Sequence, residues 1–262
     1  VLGIENVEQL REQTNKLWQA TYVDDGTVKT VLANSIWLAD DLAAKEELTQ
    51  TLADRYYAST YRGKMGSDEL NSAIKSWIDS QTGNLLDQQT GEIKLMPQTR
   101  AALISTIWFA AKWSNEFLPQ FTEESDFTTG DGEVVKCDFM KKRENLMNYY
   151  YGEGYSAVEL YFENCDSSMF LILPDEGYTT DDLLDNEEVM SILRGENIME
   201  NADINSKYLK VNLSIPKFDA ACTMELSELL KSMGITDVFD VNTSDFTPLT
   251  DDEELFLSQV LH

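Results

Sequence analysis

Apolar side chains recur three and four residues apart in "NVEQLREQTNKLWQATY", which puts Val7, Leu10, Thr14, Leu17 and Trp18 on one face. That spacing, with Asn6 placed to cap it, predicts a helix. The next run, "TVKTVLANSIWLA", is rich in Val and Ile without polar alternation and reads as a strand buried on both faces. "KEELTQTLADRYYA" returns to helical spacing, and "STYRG" continues extended. Ser67 then caps "SDELNSAIKSWIDSQTGNLL", with Asp68 and Glu69 in its first turn. Leu70, Ile74, Trp77 and Ile78 form its apolar stripe, and Gly83 stops it. After Pro97, "TRAALISTIWFAAKW" is a continuous apolar run containing Ile104, Thr106, Ile107, Trp108 and Phe109. Its β-branched and aromatic content favours strand over helix.

The middle of the chain is β-rich. "DFTTGDGEVVKCDFM" reads as two strands around a Gly130–Gly132 turn, and "NLMNYYYGEGYSAVELYF" as two more joined at Gly152–Gly154. "SSMFLILP" is an apolar strand ended by Pro174. "TTDDLLDNEEVMSILRG" reads as one acidic helix with Leu183, Leu184, Val189, Ile192 and Leu193 inward. "YLKVNLSIPKF" alternates and ends at Pro216, "TMELSELLKSMG" is a helix stopped by Gly234, and "ELFLSQVL" begins a last strand. Helices come early, strands come in runs and βαβ alternation is absent, which is an α+β pattern with more than one antiparallel or mixed sheet. No repeat, low-complexity tract or linker divides the chain, so a single domain over residues 1–262 is expected. The chain starts at Val1 without Met and stops inside the last predicted strand, so both ends read as cut from something longer.

Composition narrows the function classes. Hydrophobic residues make up 42% of the 262, enough for a sizeable core. Against 47 Asp and Glu stand 20 Lys and Arg, and a formal charge of −27 repels phosphate backbones and anionic lipid. Nucleic-acid and membrane partners are therefore not expected. No run approaches the roughly 20 apolar residues that span a bilayer, and no signal peptide opens the chain. Cys137, Cys165 and Cys222 are scattered and odd in number, which argues against a disulfide framework or a zinc site; one pair could still bridge.

Candidate chemistry is thin. His262 is the sole histidine, too few for a histidine-based metal site, and a Ser-His-Asp arrangement would need it held against a nucleophile. Adjacent acids such as Asp40–Asp41, Asp181–Asp182, Glu187–Glu188, Asp251–Asp252 and Glu253–Glu254 could in principle serve glycoside hydrolysis, but among 47 acids such pairs arise by chance. "TSDFTPLTDDEE" lacks the mid-loop Gly of a calcium-binding EF-hand. No phosphate-binding glycine motif is present, and "GDG" and "GEG" read as hairpin turns. Asn212 and Asn242 each begin an N-x-S tripeptide of the glycosylation type, which is common by chance. Trp37, Trp77, Trp108 and Trp113 sit in apolar periodic runs and read as core. No cofactor or metal is expected, and an enzyme has little to rest on.

The scaffold itself is recognisable. "LANSIWLA", "ELNSAIKSWIDSQTGNLL", "LISTIWFAAKWSNEF", "AVELYFENCDSSMFLILPDE", "LSIPKFDAACTMELSELLKSMGITDVFD" and "LFLSQVLH" follow in the order and spacing of the serine protease inhibitor superfamily, the serpins. The chain resembles the central portion of a serpin and is identified by these segments as a member. The resemblance implies a large central sheet A, smaller B and C sheets and surrounding helices. "LANSIWLA" would be the second strand of sheet A, "LISTIWFAAKW" the third and "LFLSQVLH" the start of the fifth. The helix carrying Asn71, Ile74, Trp77, Ile78, Thr82 and Gly83 would lie across that sheet.

What the resemblance implies for function is a suicide inhibitor of serine, or sometimes cysteine, proteases. A protease would cut an exposed loop, become trapped as an acyl-enzyme and be dragged away as the loop inserts into sheet A, a strand addition that releases stored strain. Trp113 would sit at the breach, where the strand enters. Ser105 and His262 would lie at the shutter beneath the sheet's centre. Ser105 stands where the family commonly carries Asn, and Ala111 where it commonly carries Gly. The N-terminal helices, the reactive loop and the C-terminal strands are expected to lie outside these residues, so the reactive-site bond is not in this chain. A non-inhibitory carrier, storage or chaperone serpin is the alternative. The complete protein is expected to be a monomer, and scarce cysteine with an acidic surface is read as fitting a bacterial or extracellular, cell-surface setting.

Overall fold

A computed structural model describes residues 6–86, 91, 93–164, 166–196 and 205–262. They divide between two units, Val1–Ala110 with Ala220–His262, and Ala111–Asp219. The architecture is α+β.

In the first unit, α1 (Val7–Thr21) starts where Asn6 Oδ1 accepts from the Gln9 N–H at 2.9 Å. Trp18 on this helix stacks between Tyr22 and Tyr57, at 4.7 and 3.8 Å. Then follow β1 (Val23–Asp24), β2 (Lys29–Ala39), α2 (Glu46–Tyr56), β3 (Ala58–Gly63), α3 (Asp68–Gln81) and β4 (Ala101–Ala110). Strand β2 organises the sheet. It is antiparallel to β4 from Lys29↔Ala110 to Leu38↔Ala101, parallel to β3 from Asn34↔Ala58 to Ala39↔Gly63, and antiparallel to β1. A parallel pair needs a crossover, and α2 supplies it, so one βαβ unit exists where the sequence pattern showed none. Ile36, Trp37 and Leu38 of β2 are buried with Leu70, Ile74 and Ile78 of α3, Leu42, Met65 and Leu249.

In the second unit, β5 (Thr122–Thr128), β6 (Val134–Gly152), β7 (Tyr155–Tyr161) and β8 (Ser168–Pro174) form an antiparallel meander, and β9 (Asn205–Pro216) also pairs with β6. The expected B and C sheets are joined here, because β6 runs through 19 residues with a register shift between Lys142 and Asn145 instead of breaking into two strands. The acidic helix is also two: α4 (Thr180–Leu184) and α5 (Glu187–Leu193). Thr179 and Asp182 form a reciprocal capping box on the first, and Asn186 caps the second by accepting from the Glu188 and Val189 N–H groups. The break resets the helical phase. Leu183, Val189 and Ile192 are buried against Tyr150 and Tyr155 as expected, but Leu184 and Leu193 face solvent.

The largest departure is at the end of the chain. Helix α6 covers only Ser227–Ser232, and Leu255–Val260 has no regular secondary structure; a single bridge joins Leu261 to Glu225. Its main-chain partners lie in the stretch just before it. The Leu257 N–H donates to the Val238 carbonyl at 2.8 Å, Leu226 donates to Val260 at 2.8 Å, and Met224 and His262 exchange both bonds. An alternating run announces extended backbone but does not choose the partner. Cys137 is a half-buried thiol and Cys222 an exposed one, while Cys165 lies outside the described residues.

Candidate functional site

The feature of the first unit that stands out chemically is an edge. Strand β4 pairs with β2 along one side, and among the described residues no strand pairs with its other side. Unpaired edges present a row of main-chain donors and acceptors to any chain that can lie alongside. One face of β4 is covered. Ala102 and Ile104 pack into the cluster under α3, and Trp108 lies at the helix end, where Gly83 approaches the ring. The other face, with Leu103 and Ile107 at 71% and 72% exposure and Phe109 beside them, is open.

The covering helix is held from both ends. Ser67 Oγ accepts from the Leu70 N–H at 3.2 Å, and Thr82 Oγ1 donates to the Ile78 carbonyl at 2.8 Å. Asn71 Oδ1 accepts from the Leu95 N–H at 3.0 Å and so ties the helix to the segment that leads into β4. Trp77 packs at the edge of the buried cluster. Beneath the helix, Trp37 Nε1 donates to Ser35 Oγ at 2.9 Å. Thr106 Oγ1 is buried there with no hydrogen-bond partner among the described residues.

The expected shutter residues are placed as follows. Ser105 is exposed on β4, directly opposite Asn34 of β2, whose Nδ2 donates to the Tyr56 carbonyl at 2.7 Å. His262 is exposed and its main chain is paired with Met224. No hydrogen bond among the described residues joins Ser105 to His262.

At the other end of β4, sequence reasoning missed Arg100. Its Nε and Nη2 donate to the two oxygens of Glu253 at 2.7 and 2.6 Å, and its Nη1 donates to Asp41 at 2.8 Å. The guanidinium holds the Asp41 carboxyl below its usual range, and hydrogen bonds to both acids push the Arg100 pKa further up. Lys45 reaches Asp251 at 2.7 Å, and the Lys45 N–H donates to the Leu249 carbonyl at 2.8 Å. A lone Arg at the head of an apolar run was the available signal, but its partners are far away in sequence.

In the second unit, Trp113 is half-buried, stacked on Phe162 at 4.7 Å and edge-on to Phe117 at 6.2 Å. An isolated bridge to Phe162 and the Ser114 N–H to the Tyr161 carbonyl at 2.9 Å hold its backbone. Lys142 Nζ lies 4.0 Å from the Phe117 ring centroid and donates to the Asn115 carbonyl; burial pushes its pKa down.

None of this resembles a reactive pocket. Among the described residues no group of His, Cys, Asp and Glu could hold a metal ion, and no helix is long and apolar enough to cross a membrane. What the arrangement offers is an open strand edge, roofed on one side by a helix.

Comparison with known proteins agrees with that architecture. The family model described as "Serpin (serine protease inhibitor)" matches residues 1–262. Serpin B10 of Bos taurus is 29% identical over 197 residues, covering 75% of this chain and 48% of its own length. An uncharacterised serpin-like protein of Methanosarcina acetivorans is 25% identical over 258 residues, covering 97% of this chain and 58% of its own. The chain thus spans about half the length of the curated relatives it matches. Among solved structures, the thermophilic serpin tengpin in its latent state matches with a TM-score of 0.79 and 28% identity, over 98% of this chain and 68% of that one. Emu ovalbumin (Dromaius novaehollandiae) matches in fold with a TM-score of 0.82 at 18% identity, over 96% of this chain and 64% of that one. With its whole length matched by the family and its strands and helices in the family's order, this chain belongs to the serpins.

Proposed function

We propose that the full-length protein is a serine-type endopeptidase inhibitor that traps its target covalently and completes the trap by inserting its cut loop as a new strand beside β4. The observation that supports this reading most is that among the described residues no strand pairs with the outer edge of β4 under α3, with Leu255–Leu261 bonded elsewhere. A strand entering there would gain main-chain hydrogen bonds worth roughly 0.5–1.5 kcal/mol each net, and with buried side chains on the order of 10 kcal/mol in all. The uninserted form would persist because its barrier is kinetic. Trp113 serves this reading at the breach, Ser105 and His262 at the shutter, and Asn71, Trp77 and Thr82 on the helix that must yield as the strand enters. The protein acts as a monomer outside the cell or at its surface, on serine and in some cases cysteine proteases.

The test mixes full-length protein with a panel of serine and papain-type proteases and looks for an SDS-stable complex at the summed mass. Such a complex, together with a sharp rise in thermal stability after loop cleavage, is the expected result. Cleavage without a complex and without stabilisation would instead favour the carrier, storage or chaperone role.

A further inference from the structure

The segment Leu255–Leu261 is tied down at its root and lightly held along its length. Immediately before it, Leu249 and Thr250 are buried at 6% and 1% exposure. Two cations stitch this root to the Ala39–Ala101 end of the sheet. Arg100 bridges Glu253 and Asp41 through three charge-assisted bonds, and Lys45 holds Asp251 while its N–H bonds the Leu249 carbonyl. Ser244 Oγ donates to the Leu255 carbonyl at 2.6 Å. Leu255 itself packs against the buried cluster. Beyond that point the segment's hydrogen bonds among the described residues are the Leu257 N–H to the Val238 carbonyl, the Val260 N–H to Ser227 Oγ at 3.1 Å and to Glu225 Oε1 at 3.5 Å, and the pairing of its last residues with Met224–Leu226. Bidentate Arg–carboxylate pairs are the directional, geometrically demanding kind of ion pair; here the one with Glu253 ties the start of β4 to the root of the segment, and a single further bond from the same guanidinium to Asp41 adds the turn after β2.

We propose that Arg100 and Lys45 form an ionic hinge: they fix the root of Leu255–Leu261 to the base of the sheet and leave the rest of that segment as a strap free to change its main-chain partners. The hinge stands apart from the inhibitory reading, because its readout is hydrogen exchange and needs no protease. Both cations are partly solvent-accessible, at 23% and 39% of the side chain, so salt weakens the hinge.

Hydrogen exchange followed by mass spectrometry on wild type, Arg100→Gln, Glu253→Gln and the Arg100→Gln/Lys45→Gln double variant tests this. Peptides spanning 249–261 are expected to exchange about fivefold faster in each single variant and about tenfold faster in the double, in line with exposed-pair energies and local opening. Peptides from β5–β9 are expected to be unchanged. Raising NaCl to about 1 M, where charges are screened within about 3 Å, is expected to accelerate the same peptides in wild type and leave the double variant as it was. Exchange over 249–261 that is equal to wild type in all variants overturns the hinge. So does an acceleration shared equally by every peptide of the first unit, or a salt effect that survives in the double variant.

Discussion

Replacing Gly83 with alanine isolates the contact between the covering helix and the sheet. Gly83 ends α3 with φ +60°, and a Cβ built there would lie 2.7 Å from Cη2 and Cζ2 of Trp108. Holding an L-residue in the left-handed region costs about 1–2 kcal/mol. Pushing back the half-buried Trp108 ring costs about 1–3 kcal/mol more. The ring has little room, since Lys29 Nζ lies 4.3 Å from its centroid. Alanine also stiffens the unfolded chain, which returns about 0.4–1 kcal/mol. The net expectation is a loss of about 2–3 kcal/mol. Urea unfolding followed by tryptophan fluorescence on wild type, Gly83→Ala, Trp108→Leu and the double variant separates the two contributions. In the Trp108→Leu background the Gly83→Ala loss is expected to shrink to about 1 kcal/mol or less, the backbone share alone. An equal loss in both backgrounds would refute the contact. A Gly83→Ala loss below about 0.5 kcal/mol would refute the strain argument as well.

Ile74, at 1% exposure in the middle of the same helix, is expected to cost about 2–5 kcal/mol when cut to alanine; chemical denaturation measures it, and a loss under about 1 kcal/mol would mean the helix does not seal the sheet. The alkaline limb of stability carries a second signature. The Glu159 hydrogen bond, helped by burial, pushes the Tyr161 pKa up to about 12, while burial and then Glu188 push Tyr155 higher still. Both phenols favour the neutral form in the folded state, so their stabilisation is intact below the unfolded value near 10 and is lost as pH rises from there through the folded pKa values. Absorbance titration at alkaline pH is expected to show late-ionising tyrosines, and Tyr155→Phe and Glu159→Gln are expected to reduce that late fraction; a single unshifted tyrosine transition would contradict the geometry.

Local signals were legible where a single residue carries the physics. Ser67 caps and Gly83 stops because an N–H must be satisfied at one end and a positive φ tolerated at the other, and both needs are visible in residue type. The same logic, applied to Asn186, would have found the break between α4 and α5, because an Asn after a short acidic stretch can cap a new helix. The candidate site was legible in part. The apolar runs marked β4 and its roof, but Ser105 and His262 were linked only by resemblance, and the Arg100 cluster was not seen. Its members are separated by 59 and 153 residues, beyond the reach of any periodicity.

Hydrophobic spacing, caps and turn glycines thus determined by themselves which segments are helical and which are extended, because those choices depend on neighbours a few residues away. Tertiary structure alone decided which extended segments pair. It ran β6 through two expected strands, made β3 parallel to β2, and bonded Leu255–Leu261 to Met224–Val238 and not to β4. Strand partners are selected by the long-range competition of main-chain donors and acceptors for one another, and an alternating pattern reads the same whichever partner wins.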